Sequence, residues 1–492
     1  MRRTRRYALP CALLVTLWGA CTDDPVSPAR QLPGLQATVD IIAGRVEEIR
    51  GLRFIRPVTG VALDRSVFTD YVSGSYGSDE SFAKGFALEL YQLGYSDDPA
   101  HDVAGEYQEM MSTGVDGYYI PGTDTLVVIN YEGASSEESR FRLNTIVAHE
   151  LVHALQDQHL WDRGGPLLST LHNSREQADF FLARNHLIEG EADFTATVYV
   201  YAHLLGAADP VHAASSYHRM LYGIGLDIEE LLDSGWVSKP LMLDYDLLSA
   251  YFVGPYFVDR LRRRGGWTAI DQAYERRSMT MAEVYAGEQS PMRVFPGARI
   301  SAILDTGAYD YTDNDNMGAL RMTSLFYEYL DSSAIANGLG WQGDHLFFMS
   351  RTTSRLGRMV WAFSFTTDGW ADRFWTILSR YVRWDRAVAA DLPSVADSSW
   401  NTTHSYSRKT WHNATYSVSL VRYENEIYWL ENLGTERDSI IALLIGTASE
   451  PLAKRVVPRV AGGRYRRRRP GGDAGRERLI ERLWRRYEQQ RQ

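Results

Sequence analysis

The sequence predicts an α+β protein. A mainly helical unit with a small hairpin spans 41–309, and a smaller α+β unit follows over 317–449. Three observations carry that expectation. Apolar residues recur at helical spacing through most of Ile41 to Ile300. Within that stretch, Tyr118–Ile120 and Thr125–Tyr131 are apolar and β-branched around the turn Pro121-Gly122-Thr123-Asp124, which predicts a hairpin. Beyond the polar run Asp310–Asn316, read as a loop and boundary, helical and strand periods alternate.

Taken in order, the first 20 residues read as a signal peptide. Arg2, Arg3, Arg5 and Arg6 precede the apolar run Tyr7–Trp18, which is too short to span a bilayer comfortably. Gly19 and Ala20 lead into Cys21, and the pattern resembles a bacterial lipoprotein signal in which that cysteine is acylated. Trp18 stands where such signals usually carry leucine. Residues 21–40, rich in Pro and Asp as far as Gly34, are expected to form a flexible tether. The chain's other cysteine, Cys11, lies inside the signal, so a mature chain has no disulfide and no thiol chemistry.

The next informative element is a helix. Ser135 with Glu138 three residues on has the form of a capping box, and the helix should run to about His159. Phe141, Leu143, Ile146, Val147, Leu151 and Leu155 are its expected buried stripe. It carries His149, Glu150 and His153, the pattern His-Glu-x-x-His. Residues four apart share a helix face, so both imidazoles can reach one metal ion, with Glu150 placed as a general base. Imidazole ligands suit Zn2+, which lowers the pKa of a bound water to near neutrality.

A catalytic zinc site wants a third protein ligand. A second helical stretch, Asn185–Thr197, offers Glu189 and Asp193 four apart on one face. Glu189 is expected to ligate the metal and Asp193 to accept a hydrogen bond from a ligand imidazole. Glu191 is the competing ligand, but it points about 200° around the helix from Glu189. Gly190 suggests close approach to the first helix. Asp157, four residues after His153, is either a second outer acceptor or a helix-end charge. His159, His186 and His203 have no better ligand spacing and are read as structural.

Further along, Met317–Ala336 and Trp370–Val382 read as helices, and His345–Ser350 and Met359–Phe365 as strands. Tyr416–Leu433 reads as a hairpin turning at Glu424-Asn425. The sum is a small sheet with helices on one face. Residues 450–492 carry fourteen Lys and Arg against five acidic residues and are expected to be a disordered basic tail. Globular composition excludes wholesale disorder and fibrous repeats, and a net charge of -10 argues against nucleic acid as the main partner.

His149-Glu150-x-x-His153 with the later Glu189-x-x-x-Asp193 resembles the gluzincin metallopeptidases, the thermolysin- and neprilysin-like enzymes. The strings VDGYYIPGTDTLVV, AHELVHALQDQHLW and LIEGEAD look like a largely uncharacterised bacterial and archaeal family of that type. Weaker similarity runs through GPYFVDRLRRRGGW and GLGWQGDHLFF, where His345 replaces an expected arginine after the Gly-Asp pair. The resemblance implies a zincin-like fold with His149, His153 and Glu189 on zinc, Glu150 as general base and a peptide or protein substrate. It also implies that a strand beside the motif helix pairs with the bound peptide, Thr125–Ile129 being the candidate. The transition-state oxyanion needs a further donor, for which Tyr118, Tyr119, Tyr256 and His345 all qualify.

The expectation is an exported zinc peptidase, anchored by lipid at Cys21 to the membrane of the bacterial cell envelope. A zinc amide hydrolase acting on cell-wall peptides, a binding or assembly lipoprotein without turnover, and a basic-tailed adhesin are the alternatives.

Overall fold

The computed structural model describes residues 29–448 apart from short stretches, the longest being 76–86, 161–177, 235–240, 305–310 and 383–393. The signal, Cys21, Ser135 and the basic tail lie outside the described residues. Regular structure is already present within the stretch read as a tether. Strand β1 is Arg30–Gln31, and helix α1 covers Pro33–Arg50. Pro33 occupies the first helical turn, and Gly51 closes the other end in the left-handed conformation with its N–H on the Glu47 carbonyl.

A four-stranded sheet follows, built from β1, β2 (Thr59–Leu63), β3 (Gly117–Ile120) and β4 (Thr125–Ile129). The predicted hairpin is β3–β4, with Asp124 at φ 52 in its turn. The strand order is β1-β2-β4-β3, so β4 is enclosed between β2 and β3. A peptide therefore has no edge to join at Thr125–Ile129, and the edge strand beside the motif helix is β3. Helices α2 (Arg65–Ser75) and α3 (Val103–Gly114) cover one face of this sheet.

Against its other face lies α4 (Glu137–His159), the motif helix. Its N-cap is Ser136, whose hydroxyl accepts from Ser139 N at 3.0 Å. The expected stripe is buried apart from Phe141, which is 40% exposed because it sits in the first turns, before the helix enters the core. Helix α5 (Ala178–Tyr199) is buried on nearly every side, as its all-round apolar sequence requires. It is surrounded by α1, α4, α6 (Pro210–Gly225), α8 (Leu241–Phe252) and α9 (Gly254–Tyr274); α7 (Ile228–Ser234) links α6 to α8.

Gly190 does mark a close approach, but to α9. A Cβ on Gly190 would lie 2.3 Å from the Gly254 carbonyl carbon, and one on Gly254 would lie 2.4 Å from the His186 carbonyl oxygen. The two helices cross backbone to backbone, and neither glycine can carry a side chain.

The remaining elements are α10 (Met281–Ala286), α11 (Gly297–Ile303), α12 (Gly318–Phe326), α13 (Ser332–Ala336), α14 (Asp368–Tyr381) and α15 (Glu436–Ala448). They pack around a seven-stranded antiparallel sheet of order β5-β6-β7-β11-β10-β9-β8. Its strands are β5 (Tyr311–Asp315), β6 (Trp341–Arg351), β7 (Ser354–Phe365), β8 (Ser394–Asn401), β9 (Ser405–His412), β10 (Ser417–Tyr423) and β11 (Glu426–Glu431). The polar run Asp310–Asn316 is thus mostly edge strand β5, since an edge position tolerates polar side chains. The predicted helix Met317–Ala336 is interrupted after Phe326 by a 3-10 turn and an extended Leu330.

Helices cover both faces of the large sheet, which corrects the one-face expectation. Residues Phe347, Val360 and Tyr428 meet α11 and α15. Phe348, Trp361 and Trp429 face the other way, into an apolar cluster that continues without a break to Leu187 of α5, Leu155 of α4 and Val39 of α1. The two predicted units therefore share one core. At their junction Asp344 of β6 accepts hydrogen bonds from Met317 N and Gly318 N, while Asp179 of α5 accepts from Ala319 N and Met281 N. Among the described residues no helix is long and apolar enough to cross a membrane.

Candidate metal centre

Helix α4 brings His149, Glu150 and His153 to its inner side, and α5 crosses beside it so that Glu189 meets both imidazoles. His149 Nε2 lies 3.3 Å from Glu189 Oε2, His153 Nε2 lies 3.6 Å from the same oxygen, and the two Nε2 atoms are 3.0 Å apart. All three side chains are buried, and together they could hold a metal ion. The spacing has a direct physical reading. Ligands about 2.0–2.1 Å from a tetrahedral zinc lie roughly 3.4 Å from one another. The three observed separations bracket that value, and the donor set of two imidazole nitrogens and one carboxylate oxygen is one that zinc takes.

Burial and mutual interaction shift the ionisation of all these groups. Burial opposes ionisation of Glu189, yet His153 and His149 overcome it and hold the carboxyl down at about 2. Burial lowers His149 below the ordinary imidazole range; in His153 it is outweighed by Glu189 and Glu150, and the net shift is upward. Glu150 is also sealed from solvent; among the described residues neither of its oxygens makes a well-formed hydrogen bond, and the Tyr119 backbone N–H on β3 is the donor turned towards it. Burial pushes its carboxyl up to about 8. Strand β3 closes over it: a Cβ on Gly117 would lie 3.6 Å from Glu150 Oε1 and 2.5 Å from Ile146 Cγ2. Only glycine lets the strand approach that closely.

The outer residues differ from expectation. Asp193 accepts no hydrogen bond from either ligand imidazole; its carboxylate lies 3.8 Å from His218 Nδ1. One helical turn beyond Glu189, it is carried past the imidazoles towards α6. Asp157 is not an outer acceptor either. It takes hydrogen bonds from the Tyr119 hydroxyl and Gly122 N, both at 2.7 Å, and so ties the end of α4 to the hairpin turn.

His153 Nδ1 is instead 2.8 Å from Gln156 Oε1, and Gln156 Nε2 donates to Glu191 Oε2 and to the Ile188 carbonyl, each at 2.9 Å. Glu191, turned away from the metal position as predicted, is buried there as the partner of Arg50 and Tyr274. The i,i+3 spacing of His153 and Gln156 is a signal the sequence carries.

The four oxyanion candidates are each engaged away from the three-residue cluster. Tyr118 points to the opposite sheet face, against Phe68. Tyr119 donates to Asp157, Tyr256 stacks on Tyr222 at 4.2 Å, and His345 packs its ring on Gly297 of α11. The tyrosine at the centre is Tyr251, near the end of α8, whose hydroxyl donates to Glu189 Oε2 at 3.0 Å and whose ring lies 6.3 Å from that of His149. Sixty-two residues separate Tyr251 from Glu189, and nothing in its local sequence marks it.

Comparison with known protein families, with curated proteins and with solved structures finds no match.

Proposed function

We propose that this chain is a zinc-dependent metallopeptidase of gluzincin type, exported and held at a membrane by lipid on Cys21. The observation that carries the reading is the set of ligand separations among His149, His153 and Glu189, with Glu150 buried beside them. Zinc in such a ligand set supplies a Lewis acid that activates water and polarises a carbonyl oxygen.

The chain's own groups would do the rest. Burial makes a carboxylate a stronger base, so Glu150 takes a proton from the attacking water and returns it to the departing nitrogen. Tyr251, already bonded to Glu189, stands where its hydroxyl can stabilise charge developing on the substrate oxygen. The outer edge of β3 offers main-chain groups for pairing with an extended peptide directly over Glu150.

Metal analysis of the purified protein tests the centre. About one zinc per chain is expected, lost in His149→Ala, His153→Ala and Glu189→Ala. Full retention in all three variants would sink the assignment. A peptide-library digest, with casein and peptidoglycan in parallel, distinguishes a peptidase from a cell-wall amide hydrolase. For the anchor, Cys21→Ala should move the protein from the membrane to the soluble fraction; unchanged fractionation would remove the lipoprotein reading.

A further inference from the structure

Two neighbours decide which way the Gln156 side chain faces. Its Nε2 lies 2.9 Å from the Ile188 carbonyl and 2.9 Å from Glu191 Oε2. The carbonyl can only accept, and Glu191 is kept an acceptor by Arg50 and the Tyr274 hydroxyl, which both donate to it. The amide nitrogen must therefore point at these two groups, leaving Oε1 against His153 Nδ1 at 2.8 Å. An amide oxygen cannot donate, so His153 Nδ1 carries the hydrogen. The neutral ring then presents a lone pair at Nε2, the atom 3.0 Å from His149 Nε2 and 3.6 Å from Glu189 Oε2.

We propose that Arg50, Glu191 and Gln156 form a positioning relay that sets His153 as its Nδ1–H tautomer before any metal arrives. The relay starts on a different element from the site it serves. Arg50 is the last residue of α1, is 1% exposed, also donates to Asp271 of α9 and lies 4.6 Å over the Trp267 ring. A guanidinium cannot lose its charge at any ordinary pH, so Glu191 is never left without its donor and the amide orientation is fixed at its far end. Gln156 is thus a positioning residue, acting on the metal only through the imidazole it orients.

The relay's effect on metal rests on the zinc reading above, but the tautomer does not, so the test reads both. Full-length protein labelled with 15N-histidine is measured metal-free at a pH of about 9, above the ordinary imidazole range. The His153 signals, identified by their absence in His153→Ala, should show the Nδ1–H form in the wild type and lose it in Gln156→Leu. Zinc affinity, read by chelator competition, should fall by about 10 to 100-fold in Gln156→Leu. It should fall less in Glu191→Gln, whose amide lets Gln156 turn over and which serves as the second variant if Gln156→Leu folds poorly. Asp157→Asn, next door but bonded to the hairpin turn, should change neither readout. An Nε2–H form in the metal-free wild type overturns the relay, as does wild-type zinc affinity in both variants. If the wild type binds no zinc at all, the metallopeptidase reading fails and the tautomer still decides the relay.

Discussion

Asp344 and Glu150 are both carboxylates sealed from solvent, in opposite surroundings. Asp344 Oδ1 accepts from Gly318 N, Trp341 Nε1 and Asn316 Nδ2, and Oδ2 from Met317 N and Trp361 Nε1, at distances between 2.9 and 3.2 Å. Glu150 has the backbone N–H of Tyr119 turned towards it, but neither of its oxygens makes a well-formed hydrogen bond among the described residues. Five donors oppose the cost of removing Asp344 from water, although burial still leaves its carboxyl raised, and the result is a joint between the helices and the large sheet. The Tyr119 N–H does far less for Glu150, whose carboxyl burial holds well up. A buried group kept against its own solvation is a mark of chemistry, whereas one fully satisfied is a mark of architecture.

That contrast can be pressed experimentally, beginning where the effect should be largest. Glu191 belongs with Asp344, since it pairs with buried Arg50 and takes two further donors. Glu191→Ala should lower stability by about 3 kcal/mol or more, because it strands the Arg50 Nε, the Tyr274 hydroxyl and the Gln156 amide and leaves Arg50 with Asp271 as its remaining carboxylate. Asp344→Ala, stranding five donors, should lose at least about 3 kcal/mol. Urea denaturation measures both. Asp193→Ala is the control: without a bond to either imidazole, it should change zinc affinity by less than about tenfold. A variant of Asp344 as stable as the wild type would dissolve the distinction.

Glu150→Gln should fall on the other side. It keeps size and metal but cannot accept the proton, so turnover should drop by at least about 10²-fold while the melting temperature stays level or rises. A simultaneous loss of stability would place Glu150 with the architectural carboxylates.

The smallest effect is on pH. Burial holds the Glu150 carboxyl up at about 8, and those of Asp193 and Asp179 at about 7. His153 is raised too, whereas His149, His186 and His218 are lowered by burial. The lowered histidines favour the native state increasingly as pH approaches 6.5 and add nothing more above it. From pH 6.5 upward only the raised groups count. The folded chain still holds protons that the unfolded chain has shed, so stability of the metal-free protein falls as pH rises through 7 and 8. Melting temperatures at pH 6.5 and about 8.5 should show the decline, and Glu150→Gln should flatten it.

What could be read from the sequence followed local geometry. Four-residue spacing on one helix is rigid, so His149 and His153 were legible, as was the turn between Ile120 and Thr125. The opposed faces of Glu189 and Glu191 were legible too, but the task of the second was not. A helix face predicts direction, and only the neighbours it meets determine a partner. Glu191 meets Arg50 from 141 residues away, Asp193 meets His218, and Gly190 meets Gly254 where the motif helix was expected. The strand order that encloses Thr125–Ile129 depends on a parallel pairing with Thr59–Leu63, which no turn between the two announces.

Among the described residues one unbroken apolar cluster runs under α1, α4, α5 and the near face of the large sheet, so the two halves share a core. Local opening at the metal centre and opening of the sheet then draw on the same reserve of cohesion. A cation that binds the folded chain alone would slow amide exchange in strands it never touches, by mass action and without any change of shape. Cofactor occupancy would thereby become a property of the whole molecule, one that a protease attacking the far sheet would register.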